Sequence, residues 1–497
     1  MNLLERLAPR WHLSRQVARM QAAEVEIAML QLEQHRHRVQ ERFGYEGAVR
    51  SDRTAGWLAP STSADTEIRG GLDRLRNRMR ALYRDNAWVK KGCRVWTSST
   101  IRDGIVCNAE DDRAQALFDR WAVNSTECDP KRRTNIYGKQ RESQLSTVQS
   151  GEALIRRRRR RLTDGLTVPL QLEVIEADYL DTHRDEDLPN GGAIIQGIEF
   201  GPIGDVRAYH LFRDHPGNFR TADLSTTRVP ARDIIHLFRG DRPGQTRGVP
   251  WGASIIVPVK DLQDGKVSES VRRKVASCFT GFVHDIETPS DAAVNLVPGS
   301  DPMKPVGRLS PGQLIGLPPG KSITFARPPE AVGFKEFMEV GLHEVAVGME
   351  VPYEALSGDL AGVSFSSGRI GRLDFLDEVQ SYVQLEFIPV WCWRVWEWFI
   401  DAAILAGELQ EPSAANWQAK PPRMIEPGRE VAAKIRSMAA GLTSLQHEIR
   451  SLGEDPTRTY DEIAADQEAL RERGIQLASN VPGSPGGTGV DRQPGPG

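Results

Sequence analysis

Residues 247–262 read RGVPWGASIIVPVKDL, and the fold turns on how this stretch is divided. Pro258 interrupts its apolar run, so a continuous helix is expected from about Val259, through DGKVSESVRRKVASCFTGFVHDI, to about 284. Upstream, between 165 and 240, the texture is that of strands. LTVPLQLEVIEADYLDT, GGAIIQGIEFGPIGDVRAYHLFRD and VPARDIIHLFRG are β-branched and aromatic, separated by Gly, Pro and Asp turns. Downstream, 286–330 is Pro- and Gly-rich with short apolar runs, which suits a small β-containing insert, and FKEFMEVGLHEVAVGM (334–349) returns to helix. Strands followed by helices, rather than a strict alternation, make the chain α+β.

The flanks extend this plan. Residues 3–43 have few breakers and many strong helix formers, as a long arm or partner-facing helix would. In ADTEIRGGLDRLRNRMRALYRDNAWVKKG (64–92), Ile68, Leu72, Leu75, Met79 and Leu82 recur at three and four residues and draw one apolar stripe. Arg74, Arg76, Arg78 and Arg80 flank or oppose the stripe, as a solvated face, a subunit contact or a phosphate contact. The Gly/Ser loop ALSGDLAGVSFSSGR leads to a long helix from about Ile370, which Pro389 should kink. Trp391, Trp393, Trp396 and Trp398 crowd the segment beyond and call for cover from neighbours or other subunits. Three short helices follow at 428–440, 443–451 and 458–473, the second opened by a Thr443/Gln446 capping box. The tail from 477 to 497 is too polar and Gly/Pro-rich to order.

The chain has 497 residues, 39% hydrophobic and 26% charged, with a net charge of −3. Such a balance excludes a general nucleic-acid coat, so any DNA contact is local or is confinement without tight binding. The five cysteines form no CxxC pair, no secretory h-region opens the chain, and no long uncharged apolar run occurs. A soluble, intracellular protein is expected, with no membrane partner. Chemistry finds little footing. Gly320, Lys321 and Ser322 end like a nucleotide-binding loop, but Ile315 stands where its first glycine belongs, and Pro318 and Pro319 fall inside it. His35 and His37 lack partners at metal spacing. Glu176, Asp178, Asp181, Asp185, Glu186 and Asp187 read as a solvated strand end and loop, with a nuclease-like metal set as the alternative. No catalytic residue, metal or cofactor is assigned.

Several segments, in order, resemble the lambda-like portal family of tailed double-stranded DNA phages. They are the arginine-rich 64–92; GEALIRRR with LQLEVIEADYLDT; RGVPWGASIIVPVKDL; LPPGKSITFARPP (317–329); GMEVPYEALSGDLAGVSFSSGRIG (348–371); and the run from NWQAKPP (416) to EIAAD (466). The resemblance implies a portal fold: a β-rich wing, a helical stem, a small α/β clip, a long kinked helix and a helical crown. It divides the chain into an N-terminal arm (1–49), wing (50–258), first stem helix (259–284), clip (285–333), second stem helix (334–353), channel loop (354–369), long helix (370–406), crown (407–476) and tail (477–497). It further implies a homo-oligomeric ring of about twelve subunits at a capsid vertex of the virion, assembled in the host cytoplasm. Double-stranded DNA would pass through it non-specifically. Its partners would be the major capsid protein and scaffold, the terminase large subunit, and later the head–tail connector proteins. The loop residues Ser357, Gly358, Gly362, Ser364, Ser366, Ser367 and Gly368 would approach the channel. The rival readings are a basic DNA-binding packaging adaptor and a packaging nuclease or ATPase.

The adaptor reading rests on GEALIRRRRRRLTDG (151–165). Strand alternation points Ala153, Ile155, Arg157, Arg159 and Arg161 one way and Leu154, Arg156, Arg158 and Arg160 the other. Six like charges cannot all be buried cheaply, so the run is expected to leave its sheet within two or three residues or to find acidic partners, with 176–187 the candidate.

Overall fold

The computed structural model describes residues 55–218, 224–277, 281–285, 321–325, 333–452 and 454–475, together with Met29; along 281–285 and 321–325 only the backbone is described. The arm, most of 285–333 and the tail lie outside the described residues. Residues 1–62 and 63–497 form two units, and the helices from Ala64 onward and the described strands belong to the second.

The 64–92 stretch enters three helices: α1 (Ala64–Arg69), α2 (Leu72–Asp85) and α3 (Ala87–Ile101). Gly70 and Gly71 end the first, and Asn86 starts the third by accepting from the amides of Trp88 and Val89, each at 3.0 Å. The apolar stripe nevertheless points inward: Leu72 and Met79 are buried, Leu75 and Leu82 partly so. Next come β1 (Ile105–Ala109), α4 (Asp112–Val123), α5 (Ser125–Cys128) and α6 (Ile136–Ser150). Helix α6 is polar in sequence yet buries Gln140, Ser143, Gln144 and Thr147. Burial of such groups requires partners, and each of these side chains has at least one, although Gln144 Nε2 has none. Gln140 exchanges hydrogen bonds with both backbone groups of Ile105 at 2.9 Å. The Tyr382 hydroxyl donates to Gln144 Oε1 at 2.9 Å, and the Trp391 indole to Ser143 Oγ at 3.2 Å.

The strands follow as β2 (Glu152–Arg159), β3 (Leu170–Glu176), β4 (Glu186–Asp187), β5 (Ala193–Ile195), β6 (Ile198–Phe200), β7 (Val206–Phe212), β8 (Thr226–Pro230) and β9 (Ile234–Phe238). β2 is the middle strand of an antiparallel β3-β2-β9 sheet, and β4 to β8 make a five-stranded antiparallel meander. Its period-two alternation separates two cores. Ala153 and Ile155 join the main, largely helical core. Leu154 joins a second core with Ile198, Tyr209, Leu211, Val229 and Ile234.

α7 (Ile256–Ser277) begins three residues ahead of Val259, because Pro258 falls in the first turn, where its missing N–H has no helical acceptor to lose. It does not reach 284. Gly281–Asp285 is β10, paired antiparallel with β11 (Lys321–Phe325); Gly281 and the Phe282–Val283 pair favour a strand over a helix there. α8 (Phe334–Gly348) packs on α7 closely enough that a Cβ on Gly341 would lie 2.4 Å from Leu262 Cδ2.

α9 (Tyr353–Ser357) precedes α10 (Phe365–Tyr382), a π-helical stretch (Val383–Cys392) and α11 (Trp393–Ala406). The long helix thus begins at Phe365, not Ile370. Pro389 lies inside the π-helical stretch, where the ladder has shifted by one residue: the Trp393 amide donates to Ile388. A widened turn accommodates the proline. Trp391, Trp396 and Trp398 are buried within this chain, whereas Trp393 is exposed. Their indoles are satisfied internally, Trp396 on the Ser413 carbonyl at 2.9 Å and Trp398 on that of Arg232 at 2.8 Å. Phe118 stands at the centre of this aromatic group, 5.0 Å from Phe399 and edge-on to it.

The end of the described chain comprises β12 (Ala415–Ala419), α12 (Pro427–Ala439), α13 (Leu445–Ser451) and α14 (Pro456–Glu472). β12 pairs antiparallel with β1, Ala415 opposite Ala109 and Ala419 opposite Ile105. The segment from 407 therefore begins with a strand that pairs with the N-terminal β1. The cap of α13 is Ser444, which accepts from the His447 amide at 3.1 Å, one residue beyond the expected Thr443.

Candidate functional site

Arg247 of RGVPW is fully buried, and so is Glu152 of GEALI. Arg247 Nε lies 3.1 and 3.0 Å from the two Glu152 oxygens, Arg76 Nη2 at 2.8 Å, His236 Nε2 at 2.8 Å, and the Gly248 amide at 3.2 Å. Burial alone would raise the Glu152 carboxyl; the Arg247 charge and the His236 hydrogen bond overcome it and hold the group well below its ordinary value. The two backbones touch here as well. A Cβ on Gly248 would sit 2.1 Å from the Gly151 carbonyl oxygen, and one on Gly151 2.5 Å from that of Gly248. Trp251 then packs edge-on against Trp96 at 4.8 Å and Tyr382 at 5.1 Å. These residues lock β2 to α2, α3 and α10. They hold the fold.

The four arginines of α2 divide. Arg76 is buried, against the expectation of a flanking solvated position, because Glu152 awaits it. Arg80 reaches Asp178 at 2.6 Å and Ser150 Oγ at 3.0 Å. Arg74 is exposed and donates to the Gly70 carbonyl at 2.8 Å; Arg78 is exposed. Glu176, Asp178 and His215 do converge, but the Arg80 guanidinium already lies 2.6 Å from Asp178 and 3.8 Å from Glu176. That charge takes the place a cation would need.

The arginine run stays in its sheet longer than expected, through Arg159, and its partners are not those expected. The 176–187 stretch is engaged by Arg69, Arg76 and Arg80. Arg158 pairs instead with Glu173 across the strand at 2.7 Å, Arg159 with Asp233 at 2.8 Å, and Arg160 with Asp164 at 3.2 Å. Arg157 lies over the Trp398 ring, 5.9 Å from its centroid, and reaches Asp401 at 3.4 Å. Arg156 is half-buried; burial first, and Arg158 second, lower its pKa. The exposed Arg161 donates its backbone amide to Asp164 at 3.2 Å.

The Gly/Ser loop is shorter than read and hydrogen-bonded. Ser357 ends α9, and Gly358 closes it in the left-handed conformation at φ 75°, donating to the Glu354 carbonyl at 2.9 Å. Ser357 Oγ accepts from the Asp359 amide at 3.1 Å, and Asp359 accepts from that of Ala361 at 2.9 Å. Ser364 caps α10, accepting from the Ser367 amide at 3.2 Å. Ser366, Ser367 and Gly368 are therefore the first turn of a helix, and only 358–364, with Gly362 in open space, is loop. Beneath it lies a cavity of about 670 Å³ walled by Val95, Leu360, Val363, Phe375 and Leu376. A neighbouring cavity of about 410 Å³ collects Arg102, Arg141, Arg372, Lys420 and Arg423 from four places in the chain. Sequence reasoning missed this group, because no two of its elements are adjacent and only the KPPR run shows locally.

Residues 50–382 match the model of the phage portal protein, lambda family. The chain belongs to the lambda family of phage portal proteins. Among curated relatives of this portal-family chain, it is 26% identical over 321 residues to the probable portal protein of Halomonas phage phiHAP-1, covering 61% of each. It is 23% identical over 333 residues to portal protein B of Escherichia phage lambda, covering 56% of this chain and 59% of that one. The match thus spans less than two thirds of either relative's length. Among solved structures, a chain from the neck of a native gene transfer agent particle, computed with C12 symmetry, covers 81% of this chain at 13% identity, with a TM-score of 0.46. A portal protein of the HK97 family from Corynebacterium diphtheriae covers 73% at 10% identity, with a TM-score of 0.32.

Proposed function

We propose that this chain is the subunit of a closed ring of about twelve copies at one capsid vertex, through which double-stranded DNA enters during packaging and leaves during ejection. The ring nucleates procapsid assembly with the major capsid protein and scaffold. It docks the terminase large subunit, and afterwards the head–tail connector proteins. Family membership over 50–382, a span running from before α1 through α7 to the end of α10, is the observation that carries the reading. α7 and α8 serve as the stem, the segment 285–333 as the clip, and 358–364 as the part of the loop nearest the passing duplex. Exposed apolar residues on the paired helices support ring contacts: Val267 and Val271 on α7, Val340 and Val347 on α8.

The role is non-catalytic, and ATP hydrolysis belongs to the terminase. Lys321 and Ser322 stand at the start of a strand, where a nucleotide-binding loop would lead into a helix. The adaptor reading loses its footing because Arg157 to Arg160 each face a carboxylate of this chain. Electron microscopy of the purified full chain should give top views with a central hole. Monomers alone, even with capsid partners supplied, or ATP hydrolysis by the purified chain, would defeat the proposal.

A further inference from the structure

One cavity among the described residues is lined by five cations and a single acid. Several arginines elsewhere are matched: Arg76 and Arg247 with Glu152, Arg158 with Glu173, Arg228 with Glu199, Arg239 with Glu350. The 410 Å³ cavity differs. Arg102 enters it from the end of α3, Arg141 from α6, Arg372 from α10, and Lys420 and Arg423 from the chain after β12. Asp103 is the acidic residue of its lining. Among the described residues no carboxylate lies within ion-pair distance of Arg141, Arg372, Lys420 or Arg423.

Arg102 adds a second, independent observation. Its backbone is at φ 51°, ψ −119°, a region glycine occupies readily and arginine does not. Its guanidinium donates to the Lys420 carbonyl, which fixes it against the cavity wall. Burial first, and the charge of Arg372 second, press its pKa down. A strained backbone carrying a half-buried cation beside other cations describes an arrangement preorganised for an anion. Guanidinium forks match phosphate oxygens in pairs. The cavity shares Ser99, Arg372 and Leu376 with the one beneath the 358–364 loop, so an anion held here would lie beside that loop.

We propose that this cavity is a phosphate-binding pocket that takes phosphodiester groups of duplex DNA. It rests on the channel reading and deepens it, by naming where on each subunit the backbone is held. The charge complementarity favours a polyanion over a neighbouring subunit's carboxylates: five cations face one acid, and nothing in the wall selects a peptide.

The test uses the full chain, wild type against Arg141→Gln/Arg423→Gln and the triple variant with Arg372→Gln; Arg141, Arg372 and Arg423 are exposed. Binding of a fluorescent duplex is read by anisotropy across a salt series, inorganic phosphate binding by calorimetry, and ring formation by electron microscopy. Loss of three phosphate contacts should weaken duplex binding ~10-fold or more and lower the log–log salt slope by about one per arginine removed, with rings intact. Unchanged affinity and slope in intact rings overturns the pocket and leaves the channel standing. Phosphate binding that the variants lose, with duplex binding untouched, overturns the duplex assignment in favour of the free anion. Variants that fold but fail to form rings reassign the cations to a neighbour's carboxylates. Absence of rings from the wild type sinks the channel reading, while the duplex comparison still reads the pocket on the monomer.

Discussion

Glu152 is one carboxylate serving Arg76, Arg247, His236 and a backbone amide, and its removal exposes how much rests on it. Glu152→Gln leaves buried guanidinium charge uncompensated and should cost ~3–5 kcal/mol, read by guanidinium unfolding. The pH dependence follows from the depressed carboxyl. Its contribution is full above the ordinary carboxylate value and is lost as pH falls through the lower folded value. Stability of the wild type should therefore drop on acidification more steeply than that of the variant; parallel profiles would refute this. Arg158→Gln is the contrast. Its pair with Glu173 is partly exposed, so the change should cost ~0.2–1 kcal/mol and leave duplex binding unaltered. The sequence shows six adjacent arginines but not their partners. Glu173, Asp233 and Asp401 reach them through sheet register and tertiary packing, and the nearest acidic run in sequence was taken by α1 and α2. Arg247 and Gly248 were legible as a signature, whereas their meeting with Gly151 and Glu152 was not, since no local pattern encodes contact between distant turns.

Among elements, those with strong periodicity were readable and those governed by a partner were not. The stripe of α2, the strands between 170 and 238, and α8 follow from apolar spacing. Helix α6 defeats that logic: its buried face is glutamine, serine and threonine, held by Ile105, Tyr382 and Trp391. The π-helical stretch likewise has no signature beyond Pro389, and β12 is a strand because β1 offers it an edge. For the loop, the described hydrogen bonds redraw the useful deletion. Replacing 359–363 with two glycines spares the Ser364 cap of α10, so ring formation should persist while the amount of DNA packaged per particle falls. Equal loss of both would remove the loop from the channel. A deletion running to 367 would instead unwind the first turn of α10 and confuse the two effects.

For the whole molecule, assembly should depend on surface that the isolated chain leaves uncovered. Val340 and Val347 on α8 are 70% and 77% exposed. Val347→Asp should leave unfolding of the subunit within ~0.5 kcal/mol of wild type yet sharply reduce the fraction of rings counted by electron microscopy. Rings at wild-type yield would move the contact elsewhere. The succession of strands, a helical pair and terminal helices was legible from apolar spacing and turn residues; the return of β12 to β1 was not, and it has a consequence in time. Asp111, just after β1, donates its amide to Ser413, just before β12, 302 residues further along. At ribosomal speeds of ~5–20 residues per second, β1 waits ~15–60 s for its partner. Until then the core around Cys107 and Phe118 lacks Trp417, which closes one side of it. A chain cut short before β12 presents an open strand edge to chaperones and proteases. Among the described residues β12 is the last strand made, and a chain that stops short of it cannot close this core.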